Sequence, residues 1–500
     1  MPTQIMTLAI VLLYFVIMLL VGWSAEKMTR NMSDYMVSGR GLGVWMLSFG
    51  VMAAVMSGWS WLGNPGAVYD AGYSAAVKIT SLTPAGVVLA FVFIAKPIRI
   101  ISNHTECFTM PDILAARWNN NSTIRLLSCI IILIGSATYL VSQWSAMGTV
   151  MQMVLGISYE WGVVVGAVII TAYVVAGGML ASMWTNFVQM IIMFLVAILI
   201  MVKCVGAVGG FEQMNLTVSA IDQSYVSPFN ESYGIINSLS YSILVVFLAY
   251  GGQPGFNTKF LMIKDHRQLR WSPLISVIAM IVGTSMYVVG LVGVIMVERG
   301  EIAAPATPDG ILLSVTSAVF SPTVNALIMV AVMAAVMSTA ETHLFTSATS
   351  IVQDFAIKYL NRPISSKKCL GFMRICIACV MIITVALAIK PPDLISVIGA
   401  QAFGALCAGF GPVLCLGLRW KRINSKGAIA GMTIGLIFGG ILPVVDPHNA
   451  MLGEWTPAGL GVILSASATI AVSLITKKDC ADIFNCKIKE SKFINITEKL

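Results

Sequence analysis

The sequence predicts an all-α polytopic membrane protein of about 13 transmembrane helices, with two inverted five-helix repeats and discontinuous helices. Three observations carry the prediction. With 58% hydrophobic and 10% charged residues, a chain of 500 residues cannot be one water-soluble core. Apolar runs of bilayer-spanning length recur from end to end, giving a mean hydropathy of +0.88. Two of those runs, five apart in order, are each broken by glycine and proline near the middle.

The first run, 5–24, is preceded by no basic residue and followed by Glu26, Lys27 and Arg30 instead of a small-residue cleavage site, so it reads as a retained span. Next comes 42–73, interrupted at Met56-Ser57-Gly58 and at Asn64-Pro65-Gly66, then 75–97, 124–155, 161–179 and 187–208. The seventh run, 235–258, breaks at Gly251-Gly252-Gln253-Pro254-Gly255 and precedes 272–297, 323–353, 368–390 and 395–418. Because the breaks lie an odd number of spans apart, the units 42–208 and 235–418 are expected to have opposite orientations. The runs 5–24, 426–444 and 456–476 are accessory, 477–500 is a cytoplasmic tail, and the whole is one membrane domain.

Cationic residues set the sidedness, since cytoplasmic loops hold the Lys and Arg excess. With the N-terminus outside and the C-terminus inside, only Lys78, Lys203, Arg299 and Lys390 of the 30 Lys and Arg residues miss the cytoplasmic side. The loop 209–234 agrees, with Glu212, Asp222 and Glu231 and no Lys or Arg. The net charge of +8 follows from this sidedness and predicts neither nucleic-acid binding nor a protein partner; membrane lipid and a small solute are the expected partners. The expected location is the plasma (inner) membrane.

No polar stretch is long enough for a nucleotide-binding or kinase module, and no GxxxxGK[ST] motif occurs, which argues against an ATP-driven pump. No Ser/His/Asp order or zinc spacing points to an enzyme. The ten cysteines are scattered, and the CxxC pair Cys376 and Cys379 lies inside an apolar run, where small packing residues are the expected reading.

Unwound backbone inside a bilayer is tolerated where it lines a cavity, so matched breaks point to a transporter's central site. The turn from Ala53 to Met56 frees carbonyl oxygens, and a hard cation such as sodium takes several oxygen donors. In the ninth run, Ala335, Ser338 and Thr339 stand at i, i+3 and i+4 on one face and supply hydroxyls. The competing reading is a helix contact in which Ser338 and Thr339 bond back to their own carbonyls.

Seven ordered blocks resemble the sodium:solute symporter family over essentially the full length, nearest its proline-carrying members. They are Ser38-Gly39-Arg40 with Leu42-Gly43, Met56-Ser57-Gly58-Trp59 with Pro65-Gly66-Ala67, Thr109-Met110-Pro111-Asp112, Gly177-Gly178 with Trp184-Thr185 and Gln189, Tyr250 with Gly252-Gln253-Pro254, Ala335-Val336-Met337-Ser338-Thr339, and Gly411-Pro412 with Trp420-Lys421-Arg422. The resemblance implies thirteen spans around two inverted repeats and a sodium ion held by carbonyls of Ala53, Met56 and Ala335 and hydroxyls of Ser338 and Thr339. It implies a solute site at Ser57, Gly58, Trp59, Tyr250, Gln253 and Pro254, with Tyr139 and Gln143 contributing, and a role for Arg40 near an inner gate. The implied activity is secondary active symport of sodium with a small organic solute, an amino acid such as proline.

Three departures bear on the solute and the ion. Val55 stands where proline-carrying members have an acid before Met-Ser-Gly, Val246 where they have a tryptophan, and Asn186 where the family has Trp-Thr-Asp. Glu341, in the ninth run, is the candidate replacement for the carboxylate missing at Asn186, against a water-facing position near the helix end. His343 reads as a neutral hydrogen-bonded residue. Proton coupling, a small carboxylate as solute, a transporter-like sensor and an uncoupled facilitator are the alternatives.

Overall fold

The computed structural model describes residues 2–27, 32–105, 107–362, 364–446 and 450–479. Arg30 and, beyond Asp479, the expected tail with Cys480 and Cys486 lie outside the described residues. Everything described is helix, turn or loop apart from one isolated bridge, Leu42 to Ile263, whose strands run parallel. Ten described helices are long and apolar enough to cross a bilayer, or 11 with Val44–Val55 and Trp59–Ala71 taken as one span bent by 60°. The expected runs 161–179 and 235–258 correspond to the shorter apolar helices Tyr159–Val175 and Ile235–Leu248. The protein is an all-helical integral membrane protein.

Local chemistry sets the ends. Asn121 caps the Ser122–Leu155 helix by accepting from Thr123 N at 3.0 Å and Ile124 N at 3.1 Å, and Thr109 caps Met110–Arg117 by accepting from Asp112 N at 3.2 Å. The Pro322–Thr349 helix is buried without interruption from Ile328 to Thr349 and packs on Pro2–Glu26, Ser122–Leu155 and Tyr159–Ala207, so it is the centre of the molecule. Outward-facing Leu13, Trp45, Leu195, Ile382 and Ile475 are exposed, as expected of a surface whose solvent is hydrocarbon.

Two expectations are corrected. The second interruption of the first broken span is absent, because Asn64–Ala71 is helical. Pro65 falls in its first turn, where no N–H is needed, after a wide π turn over Trp59–Gly63. Gly66 is there for contact, since a Cβ would lie 2.8 Å from the Pro308 carbonyl oxygen. The stretch 180–186, read as a loop between two spans, is helical inside Tyr159–Ala207, whose one non-helical residue is Gly178 at φ 59°, ψ −159°.

Candidate functional site

The first break forms at Met56, whose backbone is extended at φ −73°, ψ 103° and ends the Val44–Val55 helix. Ser57 and Ser60 then restart the chain reciprocally: Ser57 N donates to Ser60 Oγ at 2.6 Å and Ser60 N to Ser57 Oγ at 3.3 Å, an arrangement like a capping box. Gly58 N donates to Gln143 Oε1 at 2.8 Å, and the Ser57 hydroxyl lies 3.4 Å from that of Tyr139. Ser57, Gly58, Tyr139 and Gln143 therefore meet where the broken helix crosses Ser122–Leu155.

The second break is a tight turn over Tyr250–Gly252 with Gln253 extended at φ −74°, ψ 111°, after which Pro254 opens a short helix to Lys259. Gly252 is obligatory by contact, since a Cβ would meet Cys407 Cα and Gly411 N at 2.8 Å. Gln253 Nε2 donates to the Phe403 carbonyl at 3.2 Å.

Between the breaks lies a cavity walled by Trp59, Tyr139, Tyr250, Gln253, His343 and Phe403, among others. The aromatic rings interlock, Trp59 to Phe403 at 5.7 Å and Tyr250 to Phe403 at 5.3 Å between centroids. Ser57, Gly58, Gln143 and Pro254 are not among the cavity's lining residues. Val55 and Val246 form part of its wall, and among the described residues no Asp, Glu, Lys or Arg does. The remaining space is about 50 Å³, enough for one or two waters and too small for an amino acid. His343 stacks on Tyr139 at 4.4 Å and its Nδ1 lies 3.1 Å from Ser136 Oγ, the hydrogen-bonded role expected of it.

On the other side of the first break, Ser338 Oγ donates to Ala53 O at 2.7 Å and lies 3.0 Å from Ala335 O, while Thr339 Oγ1 is 3.3 Å from Ala54 O and 3.4 Å from Met56 O. The five expected positions come together, all buried. Ala54, not anticipated, joins them because it shares the unwinding turn. Every donor is a neutral oxygen, a set suited to an alkali cation.

One turn further along the Pro322–Thr349 helix, Glu341 is only 1% exposed, which overturns its water-facing reading. Ser182 Oγ donates to Oε1 at 2.5 Å and Thr185 Oγ1 lies 3.4 Å from Oε2, while Asn186 Nδ2 donates to the same Ser182 hydroxyl at 3.3 Å. Sequence reasoning missed Lys259, counted as a cytoplasmic-side charge. It is fully buried, its Nζ donating to Gly50 O at 2.7 Å and lying 3.5 Å from Thr342 Oγ1. Lys259 thus joins the two discontinuous helices below their breaks, within electrostatic reach of Glu341.

Arg40 closes a sequence of three positive-φ residues, Ser38, Gly39 and Arg40 at 51°, 58° and 56°. Its guanidinium donates to the carbonyls of Ser102 at 2.5 Å and Cys107 at 2.9 Å. Burial, aided by the Asp112 carboxylate, pushes the Cys107 thiol up to about 11. Beside Arg40, Leu42 N donates to Met262 O and Lys264 N to Leu42 O, both at 3.0 Å, so the segment leading into the first discontinuous helix is paired through backbone with the segment leaving the second.

A family model described as sodium:solute symporter family matches residues 35–435. The chain belongs to the sodium:solute symporter family. It is 29% identical over 480 residues to the osmoregulated proline transporter OpuE of Bacillus subtilis (strain 168), covering 93% of this chain and 94% of that one. It is 30% identical over 429 residues to the high-affinity proline transporter PutP of the same organism, covering 84% and 88%. Among solved structures, a Na⁺-coupled sialic acid symporter in a substrate-bound outward-open state superposes with a TM-score of 0.76 at 18% identity, covering 95% of this chain and 98% of that one, which shows a shared fold. This symporter is a sodium-coupled solute transporter and not an enzyme.

Proposed function

We propose that this symporter couples inward sodium movement to uptake of a small amino acid, with proline as the leading solute. The observation that carries the reading is the meeting of the Ser338 and Thr339 hydroxyls with the carbonyls of Ala53, Ala54 and Met56 at one face of the first break, while Ser57 and Gly58 join Tyr139 and Gln143 at the other. Sodium bound to Ala53, Met56, Ala335, Ser338 and Thr339 holds the broken helix in the shape that completes the solute site, so each raises the other's affinity, typically by about 1–3 kcal/mol. The solute enters between Trp59, Tyr139, Tyr250 and Gln253 once the aromatic wall opens, its carboxylate facing the N–H groups freed at the breaks. The proline relatives support the choice of solute.

In this reading the molecule has thirteen spans, with Tyr159–Val175 and Ile235–Leu248 completing the count, and inverted repeats over 42–208 and 235–418. The N-terminus faces outward and the C-terminus the cytoplasm. Arg40 and the Leu42–Ile263 bridge belong to a closed inner gate, and Glu341 takes the part of the carboxylate absent at Asn186. Proteoliposomes loaded with choline should accumulate radiolabelled proline under an inward sodium gradient and cease when sodium is replaced by choline at constant pH. Undiminished accumulation in choline would overturn the sodium assignment.

A second solute class, small carboxylates without an amine, is favoured by one observation. Val55 and Val246 both line the cavity and among the described residues no acid does, so an ammonium group would meet only dipoles of those residues there. Competition of proline uptake by propionate and by glycine betaine separates the two.

A further inference from the structure

On the face that carries Arg40 and Lys264, a cavity of about 550 Å³ opens between the segments around Phe91 and Arg270. Lys96, Arg267 and Arg270 are its polar wall and Phe91, Val92 and Leu269 part of its apolar one; among the described residues no acidic side chain lines it. Asp265, the nearest acid in sequence, accepts from Arg267 N at 2.8 Å through Oδ1. Among the described residues neither Arg267 nor Arg270 is in an ion pair, and the Arg270 guanidinium lies over the Trp271 ring at 5.4 Å.

The surface beside this cavity carries exposed apolar side chains and one further cation, Arg419, whose guanidinium lies over the Phe93 ring at 5.4 Å. Trp271 is 53% exposed at the head of the Ser272–Ser285 helix, where an interfacial anchor is expected, and Leu274, Ile278, Val92 and Phe93 are exposed on the adjoining surface. A soluble anion would use the cations and leave that strip bare. An amphiphile with an anionic head uses both.

We propose that this pocket binds the headgroup of an anionic phospholipid, its phosphate on Lys96, Arg267 and Arg270 and an acyl chain along Val92, Phe93, Leu274 and Ile278. Clustered cations between spans on the cationic side of a membrane protein recognise such headgroups through charge, each Lys or Arg adding a similar increment. The two walls also pack on the discontinuous helices, Thr83–Ala90 against Tyr250–Gly252 and Ser272–Ser285 against Val44–Val55, so a bound lipid braces the elements that carry the breaks.

The test uses the purified full chain incubated with phosphatidylglycerol, diphosphatidylglycerol or phosphatidylcholine, with retained lipid counted by native mass spectrometry. The two anionic lipids should be retained over phosphatidylcholine. Retention should fall on the order of tenfold or more in the Arg267→Gln/Arg270→Gln variant and persist in Arg267→Lys/Arg270→Lys, which keeps the charge and checks the fold. Inorganic phosphate at the same phosphate concentration should not displace the lipid. Equal retention by wild type and the Gln variant, equal retention of phosphatidylcholine, or displacement by phosphate alone would each overturn the proposal.

Discussion

The Ser338 hydroxyl lies 2.7 Å from the carbonyl oxygen of Ala53, a residue 285 positions earlier in the chain. That contact fastens the buried Pro322–Thr349 helix to the point where the first discontinuous helix unwinds. It places a hydroxyl, which can turn its lone pairs inward, beside carbonyls that the break has released from helical pairing.

Ser338→Ala removes one oxygen from this group and leaves the backbone carbonyls in place. The concentration of sodium giving half-maximal uptake should rise by about tenfold, the equivalent of a lost hydrogen-bond-strength contact of about 1.4 kcal/mol. Maximal uptake at saturating sodium should change much less. Sodium titration of proline uptake in proteoliposomes checks this, and an unaltered half-saturation point would remove Ser338 from the ion's coordination.

Glu341 and Lys259 are buried side chains of opposite formal charge, the acid on the Pro322–Thr349 helix and the amine on the short Pro254–Lys259 helix packed against it. Removing one leaves the other uncompensated in the interior, which for buried pairs costs about 3–5 kcal/mol, whereas removing both is often far milder. Glu341→Gln and Lys259→Met alone should therefore each lower the thermal midpoint and the uptake rate, and the double variant should recover most of the stability. If the two losses simply add, the charges do not compensate one another.

Much of this site was legible because its signals are local. The i, i+3, i+4 pattern of Ala335, Ser338 and Thr339 and the glycine and proline at each break are properties of short stretches, and the seven motif blocks lie in such stretches. What stayed hidden depends on which surface a residue faces. Ser182, Thr185 and Asn186 depress hydropathy enough to resemble a loop, yet they point into the protein, the first two onto Glu341 and Asn186 onto the Ser182 hydroxyl. Lys259, seen only as a cation near a span end, fits a cytoplasmic loop equally well. Only the packing of Gly50 against its ammonium distinguishes the two.

Asp309, in the connection after Ser272–Glu298, holds the start of the Ile395–Arg419 helix by accepting from Ile395 N at 2.9 Å through Oδ2, while Oδ1 has no hydrogen-bond partner among the described residues. Burial, with a smaller push from Asp393, raises its carboxyl from 3.8 to about 6 despite that hydrogen bond. The folded protein thus prefers the neutral acid. The stability this contributes is complete below about pH 4 and is lost as pH rises through 6. Asp309→Asn keeps an acceptor for Ile395 N and stays neutral. At pH 7 it should raise stability by on the order of 2 kcal/mol, and the difference should vanish near pH 4. Thermal midpoints of the two proteins in detergent across that range are the measurement, and an Asn variant less stable than wild type at pH 7 would contradict it.

Gly58 is the tightest point of the first break. A Cβ there would lie 2.5 Å from Ala146 Cβ on the Ser122–Leu155 helix, 3.0 Å from Val336 Cγ2 and 3.1 Å from Gln143 Oε1. Gln143 and Val336 present side-chain ends that can give way, but a Cβ meeting another Cβ cannot be relieved by a rotamer change. Gly58→Ala should therefore push the broken helix off its neighbour, cost about 1–3 kcal/mol and depress maximal uptake more than expression. Ala146→Gly removes the opposing atom. The Gly58→Ala/Ala146→Gly pair should restore much of the uptake, whereas Ala146→Gly alone should leave it near wild type. Failure of the pair to recover would mean that Gly58 is needed for its backbone freedom or for direct contact with solute, and not for the approach of the two helices.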